Sequence, residues 1–186
     1  MTDPKQYSSV TNRDPSIPAA SPAAEHRRNA EHALRLGVLT VSDSRTTEND
    51  TSGQLLVDRF SAAGHSIIHR QIVRDEIEEI RTVVRQAQTL QLDALLITGG
   101  TGVSARDCTP EAIEPLLEVV LPGFGELFRM LSYAEIGAAS MLSRAMAGRV
   151  GQVLVFCLPG STAAVRLATE KLLLSDLAHL VHHSRG

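Results

Sequence analysis

Tryptophan is absent from this chain of 186 residues, and aromatic side chains make up only 3% of it. Proteins that bind single-stranded nucleic acid commonly stack bases on aromatic side chains, so this composition argues against that function. Positive charge is not in excess either, because the formal net charge is −3 and no basic stripe stands out. The usual electrostatic footprint of a nucleic-acid-binding protein is missing. We therefore expect no nucleic-acid partner.

Cysteines and long hydrophobic runs are also scarce. Cys108 and Cys157 are the two cysteines, and they are far apart and not in a metal-ligand spacing. This usage indicates a reducing compartment and no disulfide framework. No apolar run approaches the roughly 20 residues of a transmembrane helix, and no signal-peptide pattern opens the chain. We expect a cytoplasmic protein without a membrane partner.

Two regions of different composition divide the chain. Residues 1–33 contain few large apolar side chains and several prolines, so they cannot bury enough surface to offset the entropy of ordering. We predict a flexible N-terminal tail there. Residues 34–186 are long enough to bury a proper core, and we predict that they form one domain.

Hydrophobic periodicity within 34–186 alternates between strand and helix patterns. Buried strands are predicted at 34–42, 65–73, 93–98 and 153–158, and helices at 54–63, 76–90, 110–119, 124–136 and 159–182. Residues 147–152 contain two glycines and are interpreted as a turn. This alternation predicts an α/β sandwich around a mostly parallel sheet.

A glycine-rich stretch follows the third predicted strand. Thr98, Gly99, Gly100, Thr101 and Gly102 come directly after an apolar run, and a helix start follows at 109–111. A strand, a glycine loop and a helix N-terminus in this order can hold an anion, because the backbone N–H groups are not covered by side chains. The alternative is an ordinary turn in which glycine relieves strain. Neither a P-loop nor a G-x-G-x-x-G motif is present.

Two acidic residues lie in loops that should meet at the same edge of the sheet. Asp50 precedes the first predicted helix, and Asp107 ends the glycine stretch. Two carboxylates beside a phosphate cradle suit a Mg²⁺-bound triphosphate, which indicates phosphoryl or nucleotidyl transfer. Helix capping alone could explain Asp50, and turn closure could explain Asp107. The histidines have no ligand spacing and do not predict a metal site.

Short motifs in a fixed order resemble one known family. They are TVSD at 40–43, DTSG at 50–53, ITGGTG at 97–102, Asp107 with TPE at 109–111, PGFGE at 122–126, SRA at 143–145 and LPGS at 158–161. In this order they resemble the molybdenum cofactor biosynthesis proteins of the MoaB/MogA type, from Leu34 to the C-terminus. Residues 124–148 resemble the MoaB branch in particular.

This resemblance implies a three-layer α/β/α sandwich whose mixed sheet has one antiparallel strand, assembled into a homotrimer or homohexamer. It implies a molybdopterin adenylyltransferase that uses Mg²⁺ and has ATP and molybdopterin as substrates. The product would be handed over to a protein that inserts molybdate. By position, Asp50 and Asp107 match the two acids with catalytic and metal-binding roles. The ligand-binding positions that it implies are Ser42, Thr98, Gly99, Gly100, Thr101, Gly102, Ser143, Arg144, Pro159, Gly160 and Ser161.

One departure leaves a second function open. Thr162 follows Ser161 where many adenylyltransferase members have proline, so the alternative is a molybdopterin-binding protein of the same pathway without catalysis. A generic nucleotide-binding domain is a third hypothesis, but it leaves the ordered motifs unexplained. Independently, an apolar helix face at Phe124, Leu127, Phe128 and Leu131, continued by Ile136 and Met141, predicts a subunit interface. The alternative is a well-filled core.

Overall fold

The computed structural model describes residues 33–185, so the predicted tail lies outside the described residues except for Ala33. Within this range a six-stranded sheet has the order β2-β1-β3-β6-β5-β4. Its strands are β1 Arg35–Val41, β2 Ser66–Val73, β3 Ala94–Thr98, β4 Val119–Val120, β5 Met146–Val150 and β6 Val153–Leu158. β1 pairs in parallel with β2 and β3, and β3 in parallel with β6. β5 is antiparallel to both β4 and β6, as the family resemblance implied.

Helices cover both faces of this sheet. They are α1 Thr51–Ala62, α2 Ile77–Thr89, α3 Thr109–Ile113, α4 Pro122–Ile136, α5 Thr162–Ala168 and α6 Leu177–Ser184. Alternate residues along each strand point to opposite faces. In β3, Leu96 therefore packs with α1, α4, α5 and α6, whereas Leu95 and Ile97 pack with α2 and α3. The fold is the predicted three-layer α/β/α sandwich around a mostly parallel mixed sheet.

The predicted turn at 147–152 is wrong, because most of it belongs to β5. Gly148 suggested a turn, but it serves close packing in the sheet: a Cβ added there would lie 2.5 Å from the carbonyl oxygen of Val119 in β4. Glycine inside a strand is typical of such a close backbone approach. The hydrogen-bonded reversal is confined to the end of the segment, where Gly151 has φ +59°.

Two predicted helices are shorter than their hydrophobic patterns suggested. The helix predicted at 110–119 ends at Ile113 and continues only as a 3-10 turn, Glu114–Leu116. Pro115 cannot donate a backbone hydrogen bond and so ends the α-helical pattern. The terminal helix is divided as well, because a π-helical turn, Thr169–Leu173, separates α5 from α6. A 3-10 helix, Gly137–Leu142, follows α4 directly.

The helices that follow β1, β3 and β6 create a crevice. α1 and α5, which follow β1 and β6, lie on one face, whereas α3, which follows the central strand β3, lies on the other. Where the crossover connections of adjacent strands run to opposite faces of the sheet, a crevice opens beyond the carboxyl ends of those strands. The fold therefore places a binding site at the ends of these three strands. No helix within residues 33–185 has the length and apolarity needed to cross a bilayer.

Candidate functional site

A cavity of about 560 Å³ lies in this crevice. Its walls come from the ends of β1, β3 and β6, from the end of α4 and from the following 3-10 helix. Among the predicted site residues, its lining contains Ser42, Gly99, Gly100, Thr101, Gly102, Asp107, Ser143, Pro159, Gly160 and Ser161. The topology therefore brings together three loops that are far apart in the sequence.

The glycine loop needs glycine at two positions. Gly99 has φ +102° and Gly100 has φ +62°, conformations that side chains with a Cβ rarely adopt. A Cβ on Gly99 would collide with the carbonyl oxygen of Val41 in β1, and one on Gly100 would lie 2.5 Å from the buried hydroxyl of Thr109. These contacts let the loop turn back over the end of the sheet without blocking the cavity.

Three successive backbone donors of this loop have no acceptor in the described part of the chain. The N–H groups of Gly100, Thr101 and Gly102 donate no hydrogen bond to any group within residues 33–185. By contrast, the N–H groups of Gly99 and Ser104 are occupied, since Gly99 donates to Leu158 at 3.0 Å and Ser104 donates to Asp107 at 2.8 Å. Successive unpaired N–H groups beside a cavity are typical of an anion-binding loop. This geometry favours the anion-site interpretation over an ordinary turn.

The two predicted acids do not share this cavity. Asp107 lines it, whereas Asp50 borders a neighbouring depression along α1. The side chain of Asp50 is 1% exposed and caps α1, with one oxygen accepting from the Gly53 N–H at 2.9 Å. Its other oxygen accepts from the Thr40 hydroxyl at 2.8 Å and from Arg70 at 3.3 Å. Because its oxygens are already engaged, the geometry favours the capping role over the predicted catalytic and metal-binding roles.

An acid that the sequence reasoning missed lies beside Asp107. Asp75 follows β2, lines the cavity, and has an oxygen, Oδ1, that is buried without a hydrogen-bond partner among residues 33–185. Burial raises the pKa of Asp75, and the nearby carboxylates of Asp43 and Asp107 raise it further. The signal that could have identified Asp75 was topological, because β2 is parallel to β1 and must end at the same edge of the sheet.

Basic side chains balance the acids at the rim. Arg106 bridges Asp43 at 2.8 Å and Glu76 at 3.1 Å. Arg45, which the sequence reasoning also missed, lines the cavity, and its guanidinium donates to the carbonyl of Asn49 at 2.8 Å. The cavity therefore combines an arginine, unpaired N–H groups and carboxylates, a set that suits a phosphate ligand carrying a divalent cation.

Two further predicted ligand-binding residues lie behind the cavity wall. Thr98 is fully buried, and its hydroxyl donates to the carbonyl of Pro159 at 2.9 Å, which ties β3 to the loop after β6. Arg144 directs its guanidinium at the back of the glycine loop, where it donates to the carbonyl of Gly102 at 2.7 Å. Both residues support the lining and are not part of it.

This arrangement defines an α/β domain with a pocket at the switch point of its sheet whose geometry is suited to an anion. Residues 37–179 match the family described as a probable molybdopterin binding domain. The chain belongs to this family of molybdenum cofactor biosynthesis proteins, as the motif order predicted.

Individual relatives agree with the family assignment. Molybdenum cofactor biosynthesis protein B of Bacillus subtilis (strain 168) is 48% identical over 163 residues, which cover 87% of this chain and 96% of the relative. A crystal structure of molybdenum cofactor biosynthesis protein B is similar, with a TM-score of 0.80 and 45% identity over 83% of this chain and 98% of that one. The tungsten cofactor synthesizing protein MoaB from Pyrococcus furiosus has a TM-score of 0.76 and 37% identity, with the same coverage.

Proposed function

We propose that this protein transfers the adenylyl group of Mg-ATP to molybdopterin and releases pyrophosphate. The observation that carries the proposal is one cavity that holds the unpaired N–H groups of the glycine loop together with the carboxylates of Asp75 and Asp107. The N–H groups can donate hydrogen bonds to phosphate oxygens. The carboxylates provide the oxygen ligands that a phosphate-bound divalent cation prefers.

The reaction requires two phosphate-bearing molecules to meet in line. An oxygen of the pterin's terminal phosphate would form a bond to the α-phosphorus of ATP, and the bond from the α-phosphorus to the pyrophosphate leaving group would break. In this proposal the N–H groups of Gly100, Thr101 and Gly102 and the guanidinium of Arg45 hold phosphate oxygens. Such preorganised donors stabilise the charge that develops during phosphoryl transfer.

The residues at the site fit Mg²⁺. The buried, unpartnered oxygen of Asp75 lies in the same cavity as Asp107, and both are hard oxygen ligands of the type that this ion prefers. Residues 33–185 contain no group of three or more His, Cys, Asp or Glu side chains arranged to hold a metal ion. Two carboxylates suffice here, because Mg²⁺ commonly keeps waters and binds substrate phosphates. Bound Mg²⁺ would neutralise phosphate charge.

The test is pyrophosphate release from intact molybdopterin and Mg-ATP by the purified protein. Asp107→Ala and Asp75→Asn should each abolish release while the protein stays folded. Asp58→Asn is the matched control, because Asp58 is an exposed carboxylate on α1 that contacts Gln54 outside the cavity. Absence of release above a no-enzyme control contradicts the proposal. Saturable pterin binding without release would instead identify the non-catalytic binding protein.

We also propose that the protein is a homo-oligomer, either a trimer or a hexamer. Phe124 and Phe128 are buried in the core, so the well-filled-core interpretation holds for that half of the predicted face. The outer side of α4 and the following 3-10 helix is apolar and exposed, at Leu127, Met130, Tyr133, Ile136, Met141 and Leu142. Several exposed apolar side chains on adjoining helical elements are typical of a subunit interface.

Light scattering tests this assembly. Met130→Glu, on a side chain that is 61% exposed, should dissociate the oligomer without unfolding the subunit. Val103→Glu is the control, because Val103 is 65% exposed but belongs to the loop after β3 and not to α4 or the 3-10 helix that follows it. A monomeric mass for the unmodified protein contradicts the assembly.

A further inference from the structure

The hydrogen bonds of Arg144 to one loop engage its whole guanidinium, which leaves the side chain little freedom to bind a ligand. Its guanidinium donates to the carbonyl of Gly102 at 2.7 Å and to the carbonyl of Asp107 at 3.0 Å. Its third contact is an ion pair with Glu111 in α3. Its backbone N–H also donates to the carbonyl of Thr101 at 3.0 Å. All these partners belong to the segment 101–111.

We propose that Arg144 is a positioning residue that fixes the carboxylate of Asp107 for the reaction, an inference that rests on the function proposed above. Asp107 sits at the end of a short turn in which its N–H donates to the carbonyl of Ser104 at 3.0 Å and its Oδ2 accepts from the Ser104 N–H at 2.8 Å. The guanidinium holds the carbonyls at the two ends of this turn, on Gly102 and Asp107. The orientation of the carboxylate therefore depends on Arg144.

Little else anchors this turn. Residues 103–106 are exposed, and Val103 is 65% exposed. Arg106 provides an anchor on the opposite side, but its partners Asp43 and Glu76 are themselves about half exposed, and such exposed pairs contribute little to stability. Arg144, at 32% exposure, is the better buried of the two arginines. The turn therefore depends mainly on the Arg144 side.

The geometry requires a guanidinium. Nε and Nη2 reach two carbonyls while Nη1 contacts Glu111, so three nitrogens act in one plane. A lysine ammonium keeps the charge but cannot span these acceptors from a single nitrogen on a flexible stem. The Glu111 carboxylate in turn holds the guanidinium, and hydrogen bonding to Arg144 lowers the pKa of Glu111.

The experiment compares Arg144→Lys with Arg149→Lys. Arg149 is a matched control because it also combines a carbonyl bond, to Gly151 at 2.6 Å, with an ion pair, to Glu118 at 3.3 Å, at the far end of β5. Both variants should fold. Arg144→Lys should lower kcat for pyrophosphate release about 100-fold, the cost of misplacing a reacting group by about 1 Å, with a much smaller change in KM for Mg-ATP. Arg149→Lys should match the unmodified protein.

Amide hydrogen exchange provides a readout that does not depend on activity. Arg144→Lys should accelerate exchange in 101–108 and leave β1 and α1 unchanged. Glu111→Gln, which keeps the guanidinium but weakens its anchor, should give an intermediate effect in the same segment and keeps the test valid if Arg144→Lys does not fold.

The outcomes separate this inference from the proposed function. If the unmodified protein releases no pyrophosphate, the function fails, and the exchange pattern alone supports or overturns the role of Arg144. Unchanged exchange in 101–108 overturns it. A large rise in KM with kcat preserved also overturns it, since Arg144 would then bind substrate directly.

Discussion

Replacing Gly100 by alanine should destabilise the protein strongly, because two separate features of the structure oppose a Cβ there. The residue has φ +62°, and the left-handed conformation costs an L side chain roughly 1–2 kcal/mol. The new Cβ would also lie 2.5 Å from both Asp75 Oδ1 and the Thr109 hydroxyl. Thr109 is fully buried and bonded to the carbonyl of Gly99 at 2.9 Å, so it cannot move freely.

Forcing these neighbours apart adds a packing cost of roughly 1–3 kcal/mol. Together the two costs predict a loss of about 2–5 kcal/mol in the free energy of unfolding. For a chain of this size each kcal/mol lowers Tm by roughly 2–4 °C, so the expected fall is about 4–20 °C. Mg-ATP binding should weaken as well, because a shift of the loop would displace the Gly100 N–H, which is one of the proposed phosphate donors.

Urea unfolding followed by circular dichroism, at one protein concentration, measures the change. Gly123→Ala is the control, since a Cβ there meets nothing within 4 Å and Gly123 lies in α4. It should be neutral or stabilising by about 0.5–1 kcal/mol.

A double-mutant cycle assigns the contact with Asp75. In an Asp75→Ala background, Gly100→Ala should cost less by roughly 0.5–3 kcal/mol, because one of the two opposing atoms is gone. Equal unfolding midpoints for Gly100→Ala and Gly123→Ala would refute the reasoning about the loop. Strict additivity in the cycle would refute the contact with Asp75.

Other expectations concern acids and thiols. Asp50→Ala should lower the unfolding free energy by roughly 1–3 kcal/mol, since the cap of α1 is lost and Arg70 loses a partner. The activity per folded molecule should stay nearly unchanged. Lost activity with stability retained would instead support the predicted catalytic role of Asp50. Asp75→Asn should raise the urea midpoint at neutral pH, because a carboxyl whose folded pKa is raised destabilises the fold when ionised. The gain should vanish as pH falls below the ordinary pKa of 3.8, and a gain that persists in acid would contradict this sign. Burial raises the pKa of Cys157 to about 12, so a thiol reagent at neutral pH should modify only Cys108 until the protein is unfolded; mass spectrometry of labelled peptides would detect the opposite result.

Strand and helix positions near the binding crevice could be read from the sequence, because their signals are local. β1, β3 and β6 are apolar runs that end at turn or hydroxyl residues, and the amphipathic pattern of α2 is visible over its whole length. β5 could not be predicted in the same way. Its glycine serves a contact with β4, which is a partner distant in sequence, and such pairing leaves no local periodicity.

The candidate site divides along the same line. The sequence by itself determined the glycine loop, Asp107 and the family, since these depend on residue type, spacing and order. Only the tertiary structure showed that Asp75 lines the same cavity as Asp107 and that Asp50 does not. Asp50 and Asp75 both lie at the carboxyl edge of the sheet, but Asp50 turns into the N-terminus of α1 and Asp75 turns toward Gly100. The orientation of a carboxylate is set by the hydrogen-bond donors around it. For Asp50, the fold brings together donors that are distant in the sequence, Thr40 and Arg70.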